Sequence, residues 1–161
     1  MNDLAVVTGA SSGIGEALAL ALAERGANLV LVARDRERLE SVAARCRNAF
    51  GVTVSVEPCD LADAEATRYL AERLAERPVT LLANNAGFGI HDAFVASDLE
   101  KERTLLHLQL EAALTLTKAV LPRMVAQRRG YLLNVGSVYA FTAVPGQSVY
   151  AACKAFLRSW T

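Results

Sequence analysis

Short apolar runs alternate along the chain with longer stretches whose apolar residues recur every three or four positions. Residues 4–7 read as a first strand. Ile14, Ala17, Leu18, Ala21 and Leu22 then recur at helical spacing, and Gly26 stands where that helix would stop. Residues 28–33 read as a second strand. Residues 36–49 form a charged, helix-favouring stretch with Leu39, Val42, Ala43 and Cys46 on one side. A third strand is expected over 52–56. A third helix follows over 64–76, with Leu70 and Leu74 inward and Pro78 just past its end. A fourth strand (79–83), a long helix (102–127), a fifth strand (131–135) and a last helix from Ser148 complete the series.

The strands are unbroken apolar runs more than strict alternations, which suits a parallel sheet covered on both faces. Strand and helix alternate throughout, so the pattern predicts an α/β fold with a doubly wound parallel sheet of Rossmann type. No short repeat, low-complexity tract or linker divides the chain, and residues 1–161 read as one domain. The long helix carries two apolar stripes. Leu106, Leu110, Ala113, Leu114, Thr117 and Leu121 make one; Leu105, Leu108, Ala112, Leu116 and Ala119 make the other. One can cover the sheet, and the second needs a neighbouring helix or another subunit.

Composition narrows the classes of function. Hydrophobic residues are 53% and charged residues 21%, a globular balance. Seventeen basic residues offset seventeen acidic ones, which leaves no electrostatic footprint for nucleic acid or an anionic membrane. The apolar runs are too short to span a bilayer, and no basic segment followed by an apolar core opens the chain. Cys46, Cys59 and Cys153 form no metal-ligand spacing; an odd, scattered count suits reduced thiols in a cytoplasmic protein.

The first strand and first helix are joined by Thr8-Gly9-Ala10-Ser11-Ser12-Gly13-Ile14-Gly15. Strand, glycine turn and helix together form the context of a dinucleotide site. Gly9 permits a tight turn, Gly13 has no Cβ to hold a phosphate off, and Gly15 lets the helix lie close to the strand. The free N–H groups and positive end of the helix would face the anion. Nineteen positions beyond Gly15, Arg34 ends the second strand, where such a fold meets the adenosine ribose. A carboxylate there would favour NAD; a guanidinium offers a charge-matched fork for a 2′-phosphate and favours NADP. Asp35 follows at once and blurs that choice, and a plain solvated arginine is the simpler reading. Asp60, ahead of Leu61, could accept from an adenine amino group or cap the helix that begins near Asp63. Asn84-Asn85-Ala86-Gly87 closes the fourth strand. Its amides can tie strand ends together, and Gly87 leaves room for a flat ring or sugar; an ordinary turn would use the same residues.

Ser137 follows the fifth strand, and Tyr150 and Lys154 lie four apart in the last helix, so both project from one face about 6 Å apart in rise. A phenol titrates near ~10, and a nearby ammonium favours the phenolate. The pair could give a proton to a carbonyl oxygen that Ser137 also holds. His91, His107 and the cysteines read as structural or surface residues, with Cys153, beside Lys154, the thiol most open to chemistry.

Taken in order, the turn at 8–15, Asp60-Leu61, the Asn-Asn-Ala-Gly at 84–87, Ser137 and Tyr-x-x-x-Lys at 150–154 resemble the short-chain dehydrogenase/reductase family. The thirteen-residue step from Ser137 to Tyr150 is usual for it. The resemblance implies hydride transfer between NADP, or NAD, and a small-molecule alcohol or carbonyl substrate. It assigns cofactor binding to Gly9, Ser11, Ser12, Gly13, Ile14 and Gly15 in the turn. It adds Arg34, Asp60, Leu61, Asn85, Ala86, Gly87, Tyr150 and Lys154. It implies that Tyr150 is the acid/base, that Ser137 orients substrate, and that Lys154 binds the nicotinamide ribose and tunes Tyr150. It implies a homodimer or homotetramer paired through the long helix and the next.

Two departures stand out. Gln109 takes the place of the family's catalytic asparagine, which supports a water-linked relay to the lysine. The family also continues beyond the helix that carries Lys154, with further strands, helices and a covering loop. The expectation is therefore a domain incomplete at its C-terminus, with poor turnover on its own. A non-catalytic nucleotide-binding or dimerising module is the rival class.

Overall fold

The computed structural model describes residues 3–160; Met1, Asn2 and Thr161, the last residue, lie outside the described residues. Five strands form one sheet: β1 (Leu4–Thr8), β2 (Asn28–Ala33), β3 (Val54–Pro58), β4 (Leu81–Asn84) and β5 (Tyr131–Asn134). Their spatial order is β3-β2-β1-β4-β5, and every neighbouring pair is parallel. The chain steps outward from β1 through β2 to β3, then returns to β1's other side with β4. That reversal opens a crevice at the C-terminal ends of β1 and β4.

Alternate residues of the central strands feed two cores. Ala5, Val7, Leu29 and Leu31 pack with helices α1 (Gly13–Glu24) and α2 (Arg36–Phe50). Val6, Val30, Val32 and Leu82 pack on the other face with α3 (Ala64–Ala75) and α5 (Ala112–Ala126). Burial on both faces explains the unbroken apolar runs. Helix α4 (Leu99–Leu106) leads into α5 through a π-helical turn, His107–Glu111, and α6 (Ser148–Trp160) closes the described chain. No helix of the described residues is long and apolar enough to cross a membrane.

The structure corrects several boundaries and faces. In α1 the inward stripe is Gly15, Ala19 and Ala23; Ile14, Ala17 and Ala21 are exposed. The helix is apolar almost all round, so periodicity alone could not choose the face, and the smallest residues take the closest approach to the sheet. β3 and β4 each begin two residues later than expected. Gly51, left-handed at φ +68°, ends α2, and Thr53 N–H donates to the Asn28 side chain before β3 pairs. Thr80 instead closes on Leu4, receiving its N–H and donating back to its carbonyl. The long helix starts earlier, at Leu99, because the Asp98 carboxylate caps it by accepting from Glu100 N and Lys101 N. Its two stripes divide differently from expectation. Ala113 and Thr117 join Leu105, Ala112 and Leu116 in the interior, while Leu106 is exposed and Leu110, Leu114 and Leu121 are half-buried. β5 lies at the sheet edge with Tyr131 and Leu133 exposed. A groove of about 500 Å³ beside it, walled by Leu121, Met124, Leu132 and Trp160, shares no residue with the crevice described next.

Candidate active site

The ends of β1 and β4 are stitched together by side chains. Thr8 Oγ1 donates to the Ala83 carbonyl and accepts from the N–H groups of Asn85 and Ala86, at 2.9 and 3.0 Å. Asn85 Nδ2 returns a bond to the Thr8 carbonyl at 2.8 Å. Asn84 Nδ2 reaches across to Asn134 Oδ1 at 2.9 Å and Thr117 Oγ1 at 3.2 Å. The Asn-Asn pair is therefore a tie between strands β1, β4 and β5, not an ordinary turn.

The same packing dictates the glycines. Gly9 has φ +65°, and a Cβ on it would meet Asn85 Nδ2 at 2.8 Å. A Cβ on Gly15 would fall 2.2 Å from the Gly9 carbonyl oxygen, so only glycine lets α1 start this close to the turn. Above the turn, Gly13 faces open space. Ser12 sits at the N-cap of α1 with no side-chain bond to the helix, so its hydroxyl is not used in capping.

These residues border a cleft of about 710 Å³, within the range of small-molecule and cofactor sites. Gly9, Ser11, Ser12 and Ile14 line one end; Arg34, Asp60 and Leu61 stand beside them; Asn85, Ala86 and Gly87 form the middle; Tyr150 and Lys154 close the far end. Ile14, 62% exposed, presents its side chain there in place of the core. Gly13 and Gly15 shape the turn without lining the cleft, and Ser137 adjoins it through Gly136.

Asp35 and Asp60 each take a definite place in the local structure. Asp35 is the N-cap of α2: one carboxylate oxygen accepts from Arg38 N at 3.0 Å and the other lies 3.4 Å from Arg38 Nε. Its carboxylate is engaged at its own helix terminus, while Arg34, Asp35 and Arg38 all border the cleft. Asp63, not Asp60, caps α3, accepting from Glu65 N and Ala66 N. Asp60 Oδ1 closes a local turn by accepting from Ala62 N, at the rim of the cleft.

At the far end, Lys154 is 5% exposed and its ammonium donates to the Val135 carbonyl at 2.8 Å. Burial pushes its pKa down from the ordinary lysine value. The ammonium lies 5.5 Å from the centre of the Tyr150 ring, whose other neighbour, Tyr139, meets it edge-on at 6.1 Å. Ser137 caps the short 3₁₀ turn Val138–Ala140 by accepting from Tyr139 N. Gln109 does not reach the cleft. It is buried behind Gly87 and donates through Nε2 to the Phe88 carbonyl at 2.8 Å. With Asn84, Thr8 and Lys154 it lines a void of about 10 Å³, about the size of one water. The Oε1 of Gln109 and the Oδ1 of Asn84 are both buried without a hydrogen-bond partner.

Cys153 corrects an expectation. It is fully buried, and burial lifts its thiol to about 11, so it is the opposite of a reactive thiolate. Cys59 lines the cleft and is likewise lifted to about 11 by burial and the neighbouring Asp60 carboxylate. Sequence reading missed Arg38, Phe88, Gly89 and Leu108 as cleft residues, and the Val135 carbonyl as the lysine's anchor. A backbone acceptor leaves no mark in a sequence. Arg38 could have been found, since it sits four residues past Arg34 on the first turn of a helix.

Residues 3–161 match the family described as short chain dehydrogenase. The chain belongs to that family. It is 34% identical over 162 residues to an uncharacterized oxidoreductase of Staphylococcus saprophyticus, covering 99% of this chain and 69% of the relative. It is 31% identical to human 17-beta-hydroxysteroid dehydrogenase type 3, covering 100% and 53%. Among solved structures it resembles a short-chain dehydrogenase from Sphingobium yanoikuyae in complex with NADPH. That likeness has 40% identity and a TM-score of 0.95, covering 98% of this chain and 63% of that one. The bulky-bulky ketone specific alcohol dehydrogenase from Comamonas testosteroni gives 38% identity and a TM-score of 0.94, covering 98% and 64%. The chain thus spans about half to two thirds of the length of these relatives.

Proposed function

We propose that residues 1–161 form the cofactor-binding and catalytic domain of an NADP-preferring oxidoreductase that interconverts an alcohol and its carbonyl compound. The observation that carries this reading is the meeting of the glycine turn, Arg34, the Asn85–Gly87 segment, Tyr150 and Lys154 in one cleft. The residues fit the cofactor. Gly9 and Gly15 let the Asn85 amide pack against the inner side of the turn, Gly13 leaves its outer side open, and the start of α1 offers unpaired N–H groups to a pyrophosphate. Arg34 supplies a charge for the 2′-phosphate, and Asp60 an acceptor for the adenine amino group. When bound, the nicotinamide supplies or accepts hydride.

The chain's own residues handle the proton. Tyr150 gives its phenol proton to the carbonyl oxygen, or takes one from the alcohol, while the Ser137 hydroxyl donates to the same oxygen and fixes its place. The Lys154 ammonium, held by the Val135 carbonyl, favours the phenolate left behind and donates to the nicotinamide ribose. Gln109 serves this pair from behind. Its Oε1 and Asn84 Oδ1 offer two acceptors that would fix a water in the void beside Lys154. The partly covered stripe of Leu106, Leu110, Leu114 and Leu121 supports a homodimer or homotetramer. The three unpaired thiols fit a reducing cytoplasm.

Tyr150→Phe tests the reading. In an intact protein, turnover of carbonyl compounds with NADPH should fall by about a thousandfold or more while NADPH affinity stays nearly unchanged. Undiminished activity would remove Tyr150 from the mechanism. Tight NADPH binding with no hydride transfer in the unmodified protein would instead support the non-catalytic module.

A further inference from the structure

Three residues of α6, four positions apart, each meet the segment that follows β5. The Tyr150 ring meets the Tyr139 ring edge-on, with centroids 6.1 Å apart. Lys154 Nζ donates to the Val135 carbonyl at 2.8 Å. The Arg158 guanidinium lies over the Phe141 ring, 4.5 Å from its centre. Steps of four place all three on one side of the helix, so one stripe of α6 faces residues 135–141 along its length.

That segment carries Ser137. The serine hydroxyl oxygen accepts from Tyr139 N at 3.2 Å, which leaves its hydrogen free to donate elsewhere. The Ser137 carbonyl accepts from Ala140 N and the Val138 carbonyl from Phe141 N, and these bonds close the 3₁₀ turn Val138–Ala140. Burial does little to hold the turn. Of residues 138–141 only Ala140 is buried, and Val138 and Phe141 are 74% and 72% exposed. A cation within about 6 Å of a ring centre is attracted by the negative face of the ring. Arg158 meets that condition at Phe141, and lies closer to its ring than the Lys154 ammonium does to the Tyr150 ring, 5.5 Å away.

We infer that Arg158 is a positioning residue for Ser137: its guanidinium over Phe141 closes the Ser137 turn onto the helix that carries Tyr150 and Lys154. The inference rests on the proposed role of Ser137. Two hydroxyls that hold one substrate oxygen must keep a fixed separation, yet Ser137 and Tyr150 stand on different segments. Lys154 and Tyr150 tie those segments at Val135 and Tyr139, on either side of Ser137. Arg158 adds a tie beyond the turn. Of the three it is the one whose side chain takes no part in the proposed reaction, so it can be changed without touching the chemistry.

Backbone hydrogen exchange read by NMR tests the clamp without needing turnover. Arg158→Met keeps the stem and removes the charge. The N–H groups of Ala140 and Phe141 should then exchange about two- to fivefold faster, the loss expected for an exposed cation–ring contact, while those of β5 keep their rates. Arg158→Lys and Phe141→Trp each retain a cation over a ring and should hold the parent rates. Phe141→Leu should act like Arg158→Met, and combining the two should add nothing. Both side chains are exposed, so neither change threatens the fold. In steady-state turnover of carbonyl compounds with NADPH, Arg158→Met should lower kcat by up to about fivefold with NADPH affinity unchanged. It should have no effect once Ser137 is replaced by alanine. Exchange at Ala140 and Phe141 that ignores Arg158, Arg158→Lys behaving like Arg158→Met, or an effect on kcat that survives Ser137→Ala would each overturn the inference and leave the role of Ser137 standing. A fully active Ser137→Ala enzyme would overturn that role and leave the clamp visible in exchange.

Discussion

The side-chain amide of Gln109 donates to the Phe88 carbonyl at 2.8 Å, joining the π-helical turn of the long helix to the segment that follows β4. Gly87 makes this possible, because a Cβ there would lie 3.2 Å from Gln109 Cδ. An asparagine is one methylene shorter, so the amide of Gln109 reaches further from the helix than the family's residue would.

Gln109→Leu keeps the bulk and deletes the donor. It removes the donor to the Phe88 carbonyl and should cost about 0.5–1.5 kcal/mol of stability, read as a lower midpoint in urea with an unchanged slope. Gln109→Asn should lose most of the same amount, because the shorter amide falls short of Phe88. A Gln109→Asn variant as stable as the parent would show that the bond to Phe88 contributes nothing.

How much of this was legible in the sequence depends on what each residue had to say locally. Helix α2 was readable in full: its charged face left Leu39, Val42, Ala43 and Cys46 as the only inward set, and all four are buried. Helix α1 was not, because its apolar residues run nearly all round and the inward face is set by the closeness of Gly15 to Gly9. The cleft residues of the glycine turn, Arg34 and the Tyr150–Lys154 pair were legible because their spacing carries the chemistry. The Val135 anchor of Lys154 was not, since it joins segments that meet only in the fold, and no residue pattern over 107–111 marks the π-helical turn.

The thiols give a prediction with a sign. Burial lifts Cys153 to about 11 from an ordinary 9.0. The folded protein keeps this proton where the unfolded chain has lost it, so stability is fully present below pH 9 and falls as pH rises from about 9 to 11. Two pKa units correspond to about 2–3 kcal/mol at most. Cys59, also lifted to about 11, adds to the same fall, so Cys153→Ala should make that part of the stability curve shallower without flattening it. With a thiol reagent at pH 8, Cys46 and Cys153 should react only as fast as the protein opens, and the partly exposed Cys59 should react first. Cys59 borders the cleft, so NADPH should protect it. Rapid labelling of Cys153 in the folded protein would contradict its burial.

Cofactor preference turns on Arg34, Asp35 and Arg38 at the start of α2. Asp35 accepts from the backbone of Arg38 and lies 3.4 Å from its guanidinium, and the proposed reading has the Arg34 guanidinium meet the ribose substituent. A charge-assisted contact to a 2′-phosphate contributes about 1.5–3 kcal/mol, so NADPH should bind the unmodified protein about ten- to a hundredfold tighter than NADH. Arg34→Asp should reverse the order, since a carboxylate accepts from the ribose hydroxyls and repels the phosphate. Arg38→Ala acts differently. It frees one oxygen of Asp35 while the other still caps α2, so NADH binding should improve and NADPH binding should weaken, each by less than in Arg34→Asp. Direct titration of both cofactors against the three proteins, repeated at low and high salt, separates these effects, because only the phosphate contact is strongly screened. Equal or tighter binding of NADH by the unmodified protein would mean that Asp35, not Arg34, reads the ribose, and that the Arg38 pairing yields when cofactor enters.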